Sequence, residues 1–495
     1  MRIEKNATPG SVKQKTFEYA GLNGGALGAD NPTYHASIGW DWIPTVRGRN
    51  IGIWNDVHLQ TTGPVTIENP SVRASLPLPD TSYADLRVEV SLNNHEPSPV
   101  SGTFRGRFGG AEFEQTVTLE AASITGVVLD SSTHPALRLQ EPRLWWPAGY
   151  GDPHLYDVDF QVDVAGRISD SKAFRAGIRQ FTYSEEEGAL KIRVNGRRLV
   201  CRGGNWGFPE VNLRYRRREY DIAVRHHRDL NFTMIRNWVG QTADEEFYEA
   251  CDRHGIVVWQ DFWLANPTDG PNPDDRDLFL RNVRDTVLRI RNHPCLGLYC
   301  GRNEGNPPKA LDQGIRETLA ELHPEILYIP HSAAGGVSGH GPYSVRPPEY
   351  YFRRRATPKL HSEMGIPNIV DIDSFRRMMP ERARWPQGLV WGLHDFNLAG
   401  AQRLSAFQAM IDRNYGGAID AAEWVALAQF VNYDGYRAMF EAQGKNRMGL
   451  LLWMSHPCWP SFAWQTYDYY FDHTAAYYAS KRACEPVHIQ WNPTT

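Results

Sequence analysis

Near residue 190 the hydrophobic pattern of this 495-residue chain changes period, and that change restricts the fold more than any other feature. Before it, apolar and polar residues alternate, as in Leu86-Arg-Val-Glu-Val-Ser-Leu92 and, less cleanly, Gly102-Thr-Phe-Arg-Gly-Arg-Phe108. Successive side chains of a strand point to opposite faces, so period two describes sheets with one buried face. Turns are expected at Asn93-Asn94 and Gly109-Gly110, and closing strands at Trp145-Trp146-Pro147 and Tyr156-Asp-Val-Asp-Phe160. Residues 63–184 are therefore predicted to form a β-sandwich of immunoglobulin-like size.

Beyond the change, short apolar runs at 198–203, 233–238, 256–261, 295–300, 325–330, 341–345, 358–362 and 448–453 alternate with amphipathic stretches such as 217–229, 243–254 and 275–292. Asp274-Asp275 suits the positive end of a helix dipole. Strand–helix alternation signals a parallel sheet, and eight units over 185–484 is the size of a (β/α)8 TIM barrel. A doubly wound sheet is the alternative, but no GxGxxG or P-loop follows any run. Residues 1–62 read as part of a further β domain, ending with Ile38-Gly-Trp-Asp-Trp-Ile-Pro44 and Gly52-Ile-Trp-Asn-Asp-Val-His-Leu59. Residues 485–495 read as the start of a C-terminal β segment.

A net charge of −4 makes no electrostatic case for nucleic acid or an anionic membrane as partner, and an oligomer is compatible with the composition. The N-terminus, Met1-Arg-Ile-Glu-Lys-Asn6, lacks the apolar core of a signal peptide, and no apolar run is long enough to span a bilayer. A soluble protein is expected, either cytoplasmic or exported with its signal removed. Six cysteines without CxxC spacing predict buried free thiols, and no clustered His/Cys/carboxylate set predicts a catalytic metal or other cofactor. The compositional outlier is aromatic content, 12% with 16 Trp. Core packing explains such an excess, and so do clefts that stack flat rings on sugars.

In a barrel, chemistry lies at the C-terminal ends of the strands. Those ends read Asn205-Trp206, Arg236-Asn237-Trp238, Asp261-Phe-Trp263, Asn303-Glu304, His331, Tyr343, Glu363 and Trp453. Two carboxylates at strand ends, Glu304 and Glu363, are the minimum equipment of a glycoside hydrolase, which needs one acid protonated and one ionised. Glu304 is expected to be the acid, its pKa raised by the apolar strand behind it. Glu363 is expected to be the nucleophile, kept ionised by Arg236 and Tyr343. Asn303 is assigned the substrate 2-hydroxyl, a contact that strengthens in an oxocarbenium-like transition state. Asp261 is expected to hold Arg236 or Asn205, and Trp453 to floor the pocket. His331 is a candidate contact or a strand-end histidine satisfied elsewhere. Trp391 and His394, in the long aromatic insertion after Glu363, either pack that insertion or touch substrate.

Cys201-Arg-Gly-Gly-Asn-Trp206, Asn231-Phe-Thr-Met-Ile-Arg-Asn-Trp238, the stretch Glu246 to Trp263, Arg291-Asn-His-Pro294 with Gly301-Arg-Asn-Glu304, Gly341-Pro-Tyr343 and Leu450-Leu-Leu-Trp453 resemble glycoside hydrolase family two. The similarity is greatest to its β-mannosidases, mannosylglycoprotein endo-β-mannosidases and exo-β-glucosaminidases. The resemblance implies a retaining β-glycosidase acting on a carbohydrate, with Glu304 as acid/base, Glu363 as nucleophile and no redox cofactor. It also implies that 1–62 is a partial jelly-roll sugar-binding segment, since family members usually begin with that domain complete. Val239-Gly240-Gln241-Thr242 stands where a Gly-rich tract commonly follows the second strand. The expected substrate is a terminal β-mannoside or β-glucosaminide. A β-galactosidase or β-glucuronidase specificity, or a non-catalytic carbohydrate-binding protein on a degenerate hydrolase, are the alternatives.

Overall fold

The computed structural model describes residues 55–266, 272–353, 359–397, 404–442 and 448–492, with 11–12, 17–18, 25–26 and 53. The expected jelly-roll segment therefore lies largely outside the described residues, and its described end, 55–62, forms no strand.

Eight antiparallel strands form the first domain: β1 (Val65–Ser75), β2 (Tyr83–Asn94), β3 (Val100–Phe108), β4 (Ala111–Leu119), β5 (Ile124–Asp130), β6 (Arg138–Gln140), β7 (Tyr156–Val164) and β8 (Arg167–Ala176). One sheet has the order β8-β7-β3-β4, and the other β1-β2-β5 with β6 also on β2. The alternation read from sequence becomes the core: Leu86, Val88, Val90 and Leu92 of one sheet pack with Phe104, Phe108 and Phe160 of the other. Gly106 has no side chain because a Cβ there would overlap the Phe113 ring, at 2.1 Å. The turn expected at Asn93-Asn94 comes later. Asn94 ends β2, and its buried amide donates to the Ser98 and Glu120 carbonyls at 3.0 and 2.9 Å, organising the loop beyond.

Trp145-Trp146-Pro147 is not a closing strand. Trp145 leaves the sandwich and is fully buried in the core of the following domain, where its indole N–H donates to the Asp252 carbonyl at 2.9 Å. Next to it, the Ala148 N–H donates to the Gly255 carbonyl at 2.8 Å. Gly255 ends a helix at φ +70, and a Cβ on it would stand 2.8 Å from Ala148 N, so only glycine permits this docking. A small sheet, β9 (Phe181–Glu186), β10 (Ala189–Val194) and β11 (Arg197–Arg198), completes the connection.

The second domain is a curled sheet of eight parallel strands: β12 (Cys201–Trp206), β13 (Met234–Asn237), β14 (Val257–Asp261), β15 (Leu296–Arg302), β16 (Leu327–His331), β17 (Val337–Ser338), β18 (Leu360–Met364) and β19 (Gly449–Leu452). Their order, β16-β15-β14-β13-β12-β19-β18-β17, is the cyclic order of a barrel, with β16 and β17 left unpaired so that the sheet stays open at one seam. The sixth strand precedes its expected position at 341–345. That stretch, beginning Gly341-Pro342-Tyr343, is instead a loop beyond the sheet. Among the helices, α1 (Arg217–Asp229), α2 (Glu245–His254) and α3 (Arg276–Ile290) fall where the periodicity puts them. Asp275 caps α3 by accepting from Leu278 N at 2.8 Å.

Residues 485–492 form no strand; Gln490 instead donates to the Glu441 carbonyl at 2.7 Å. All six cysteines are buried and free. Among the described residues no helix is long and apolar enough to cross a membrane. Because Trp145 joins the two domains through a filled core site and a buried hydrogen bond, Trp145→Ala is expected to cost about 3–5 kcal/mol, read by denaturant unfolding.

Candidate active site

Four strands bring polar side chains to one end of an otherwise apolar sheet: β15, β14 and β13 side by side, and β18 from across the curl. Arg236 on β13 is fully buried, and its guanidinium is shared among three partners. Nη2 donates to Asp261 on β14 at 2.6 Å and to Asn303 Oδ1 beyond β15 at 2.9 Å, while Nη1 donates to Glu363 on β18 at 2.6 Å. Asp261 faces Arg236 with both oxygens, at 3.2 and 3.1 Å from Nε, and also accepts from Val239 N at 3.0 Å. It holds Arg236, and its carboxylate is saturated by that work. Val239 is β-branched at φ +51, a strained conformation for such a residue. The bond to Asp261 is one of the contacts that hold it there.

The two glutamates meet at one hydroxyl. Tyr343 Oη lies 2.6 Å from Glu363 Oε2 and 3.1 Å from Glu304 Oε1. The sum of these contacts puts a ceiling of about 5.7 Å on the distance between the two carboxylate oxygens. Burial pushes the Tyr343 phenol far up, and the two carboxylates push it further, so it remains a donor.

The environments of the two acids differ, and not entirely as expected. Glu363 is the more deeply buried, its side chain 2% exposed against 18% for Glu304. Burial pushes the Glu363 carboxyl above its ordinary range; Arg236 pulls it down, the facing Glu304 pushes it up, and Tyr343 pulls it down. Glu304 sits just past β15 at φ +46, in the left-handed region. Its N–H donates to Ser332 Oγ at 3.0 Å, its Oε2 accepts from Asn266 Nδ2 at 2.7 Å, and His340 Nδ1 lies 3.1 Å from Oε1. Asn303 is engaged in the same frame: Oδ1 accepts from Arg236 and from Ser332 Oγ at 3.1 Å, and Nδ2 donates to Asn266.

An aromatic wall stands beside the acids. Trp238, Trp453 and Trp464 are buried in one cluster with Tyr343 packed against it. Trp238 meets Trp453 edge-on at 5.0 Å, and Tyr343 lies 6.2 Å from both Trp453 and Trp464.

Other expected contacts lie elsewhere. Trp206 is fully buried and stacked on His456 at 3.7 Å, among Tyr220, His227 and Phe247. It is core between the sheet and its helices, because the last side chain of a strand can still point outward. Trp391 is core as well: it stacks on Phe462 at 5.1 Å, touches Phe375, Phe396 and Trp424, and donates to the Ala383 carbonyl at 3.0 Å. His394 stacks on Trp459 and bonds the Pro460 carbonyl at 2.7 Å, which fastens the insertion and leaves the acids untouched. Asn205 donates to the Ser362 and Leu452 carbonyls at 2.8 and 3.0 Å, pegging β12 to β18 and β19. His331 accepts from Ala333 N at 3.3 Å and stands near His340 without contacting either acid.

Sequence reasoning missed Asn266, Ser332, His340 and Trp464. Ser332 directly follows a strand-end residue and was within reach of that logic. The others lie in loops, where no periodicity marks a position. Removing the charge that three strands share should be severe: Arg236→Met leaves Asp261 and Glu363 buried without their cation. A loss of roughly 3–5 kcal/mol is expected, measured by denaturant unfolding.

Residues 65–179 match the family described as Glycosyl hydrolases family 2. Over 95% of its length the chain is 31% identical to a mannosylglycoprotein endo-β-mannosidase of Lilium longiflorum, of which the match covers 56%. It is 29% identical over 94% of its length to an exo-β-D-glucosaminidase of Streptomyces avermitilis, covering 55% of that protein. The solved exo-chitosanase of Amycolatopsis orientalis, in complex with PNP-β-D-glucosamine, superposes with a TM-score of 0.84 at 25% identity, covering 94% of this chain and 58% of that one. The chain thus spans somewhat over half the length of these relatives. It carries a domain of glycosyl hydrolases family 2, and its resemblance to the mannosidase and glucosaminidase members extends through the parallel sheet.

Proposed function

We propose that this chain is the catalytic part of a retaining β-glycosidase acting on β-mannosides. The observation that carries the reading is the shared Tyr343 hydroxyl, which keeps the two carboxylate oxygens within about 5.7 Å. Retaining enzymes hold their acids about 5–5.5 Å apart, whereas inverting enzymes need more room for a water. Glu363 receives donors at both oxygens, Arg236 at one and Tyr343 at the other. Charge-assisted bonds of this kind favour the ionised form of Glu363, against the burial that opposes it.

Glu363 then attacks the anomeric carbon while Glu304 protonates the departing glycosidic oxygen. In the second half, Glu304 takes a proton from water, which displaces Glu363 from the glycosyl-enzyme. Asn303 keeps one amide hydrogen for the substrate 2-hydroxyl, its other hydrogen and its oxygen being held by Asn266, Arg236 and Ser332. Trp453, with Trp238 and Trp464 behind and beside it, offers the apolar wall against which a pyranose face packs.

Among the described residues, charge favours a neutral sugar. A glucosaminide would need a free carboxylate for its 2-ammonium. The two acids the sequence offers for that task are already used: Asp261 by Arg236, and Glu210 by Asn212 N, Arg214 N and the Tyr469 hydroxyl at 3.0 Å each. A panel of aryl β-glycosides should accordingly give a higher kcat/KM for the mannoside than for the glucosaminide, and the reverse order would overturn the choice of sugar.

Glu363→Ala should abolish turnover of an activated aryl β-mannoside, and azide should restore it with the inverted glycosyl azide as product. Retained activity without azide would remove Glu363 from the mechanism. The acid limb of the kcat/KM profile reports Glu363 becoming ionised, and burial sets it above the ordinary carboxylate value. Tyr343→Phe removes a donor to the anion and so raises that pKa further. The acid limb should move up by about one pH unit.

A further inference from the structure

Away from the acids, three aspartates from two loops converge. Asp371 precedes α4 (Ile372–Met378), the helix that follows β18, and Asp468 and Asp472 lie in the loop after β19. One carboxylate oxygen of each falls within 4.8 Å of the other two. Proximity among acids is common on protein surfaces and carries no weight alone. The informative group is Asp468, which is only 1% exposed. Its Oδ1 accepts from Tyr470 N and Asp472 N at 2.9 and 3.0 Å, whereas its Oδ2 is buried without a close hydrogen bond among the described residues, the Ser374 hydroxyl being the side-chain donor that faces the carboxylate. A buried carboxylate oxygen without a close donor is costly, and two more carboxylates facing it add repulsion.

The neighbouring cation does not answer this need. Arg377 Nη1 reaches Asp472 Oδ2 at 3.3 Å while its guanidinium lies over the Tyr470 ring at 3.7 Å, so it serves the exposed member of the trio. Asp371 spends Oδ1 on Asp373 N and Ser374 N, at 2.8 and 2.9 Å, and keeps Oδ2. Ser374 Oγ, 3.4 Å from Asp472 Oδ2, adds a neutral oxygen. The set is therefore all oxygen, with three carboxylates and no nitrogen or sulfur, which is the preference of a hard divalent cation. Ligands spread over two loops, with one face open at Asp472, suit the variable coordination and retained waters of Ca2+ better than the strict octahedron of Mg2+.

We infer that Asp371, Asp468 and Asp472 form a structural Ca2+ site that fastens the loop after β18 to the loop after β19. The first of these strands carries Glu363. The second loop carries Trp464 and is already tied to the first by Asn368, which donates to the Gln465 carbonyl and, at 2.8 Å, to Thr474 Oγ1. The ion would thus stabilise two segments that frame the acid pair without touching substrate.

The test uses the whole chain, stripped with a chelator and titrated with CaCl2 or MgCl2, with bound metal counted by elemental analysis and Tm followed in parallel. One Ca2+ per chain and a Tm rise of roughly 2–6 °C are expected. Asp468→Asn, which keeps shape and removes charge, should abolish both responses. Asp472→Asn, at the exposed edge, should fold normally and weaken Ca2+ binding at least tenfold, so the test stands even if the first variant is unstable. Absence of Ca2+ uptake at millimolar concentration, undiminished uptake by Asp472→Asn, or a response to Mg2+ alone would each overturn the assignment.

Discussion

A single buried guanidinium organises the site. Arg236 has no solvent to lean on, so its charge is stable only because Asp261, Glu363 and the Asn303 carbonyl take up its donors. Removing a charge from water costs several kcal/mol unless such partners are in place. Each partner comes from a different strand or strand end, and the register that seats Arg236 beside Trp259 also fixes where Asp261 and Glu363 emerge. The ion-pair network and the sheet therefore specify one another: a slip of one residue in β13 would turn Arg236 away and leave two carboxylates buried alone.

Around that fixed charge the two glutamates are made unequal by position. Glu363 ends a strand in the interior and takes donors from Arg236 and Tyr343. Glu304 lies one residue beyond Asn303, turned by a left-handed backbone toward Asn266, His340 and the more open side. Two carboxylates of the same chemistry are thus given different burial and different hydrogen-bond partners. Tyr343 spans them from a loop rather than from the sixth strand. Its placement therefore depends on the course of residues 339–345, and the strand scaffold alone does not set it.

Much of the architecture was legible in the chain because it follows from periodicity. Leu86 to Leu92 could bury one face only as a strand, and the eight apolar runs with intervening amphipathic stretches had few parallel arrangements open to them. The acids, Arg236, Asn303 and Asp261 were legible because they interrupt apolar runs, where a polar residue needs a reason. Trp206 and Trp391 could not be placed from sequence for the converse reason: a tryptophan at a strand end or in an aromatic insertion has the same letter whether it faces a pocket or a core. Trp145 is the same case at domain scale, a residue of the sandwich by sequence and of the parallel domain by packing.

By itself the sequence determined the alternating strands of the sandwich, most of the parallel strands with α1 to α3, and that Glu304 and Glu363 stand at strand ends of one sheet, since these depend on local pattern and on strand order. Tertiary structure alone decided that one tyrosine hydroxyl touches both acids, that Asn266, Ser332 and His340 frame Glu304, that Trp464 joins the aromatic wall, and that Asp371 meets Asp468. These contacts join residues tens to more than a hundred positions apart through loops, whose course is set by the packing of everything around them.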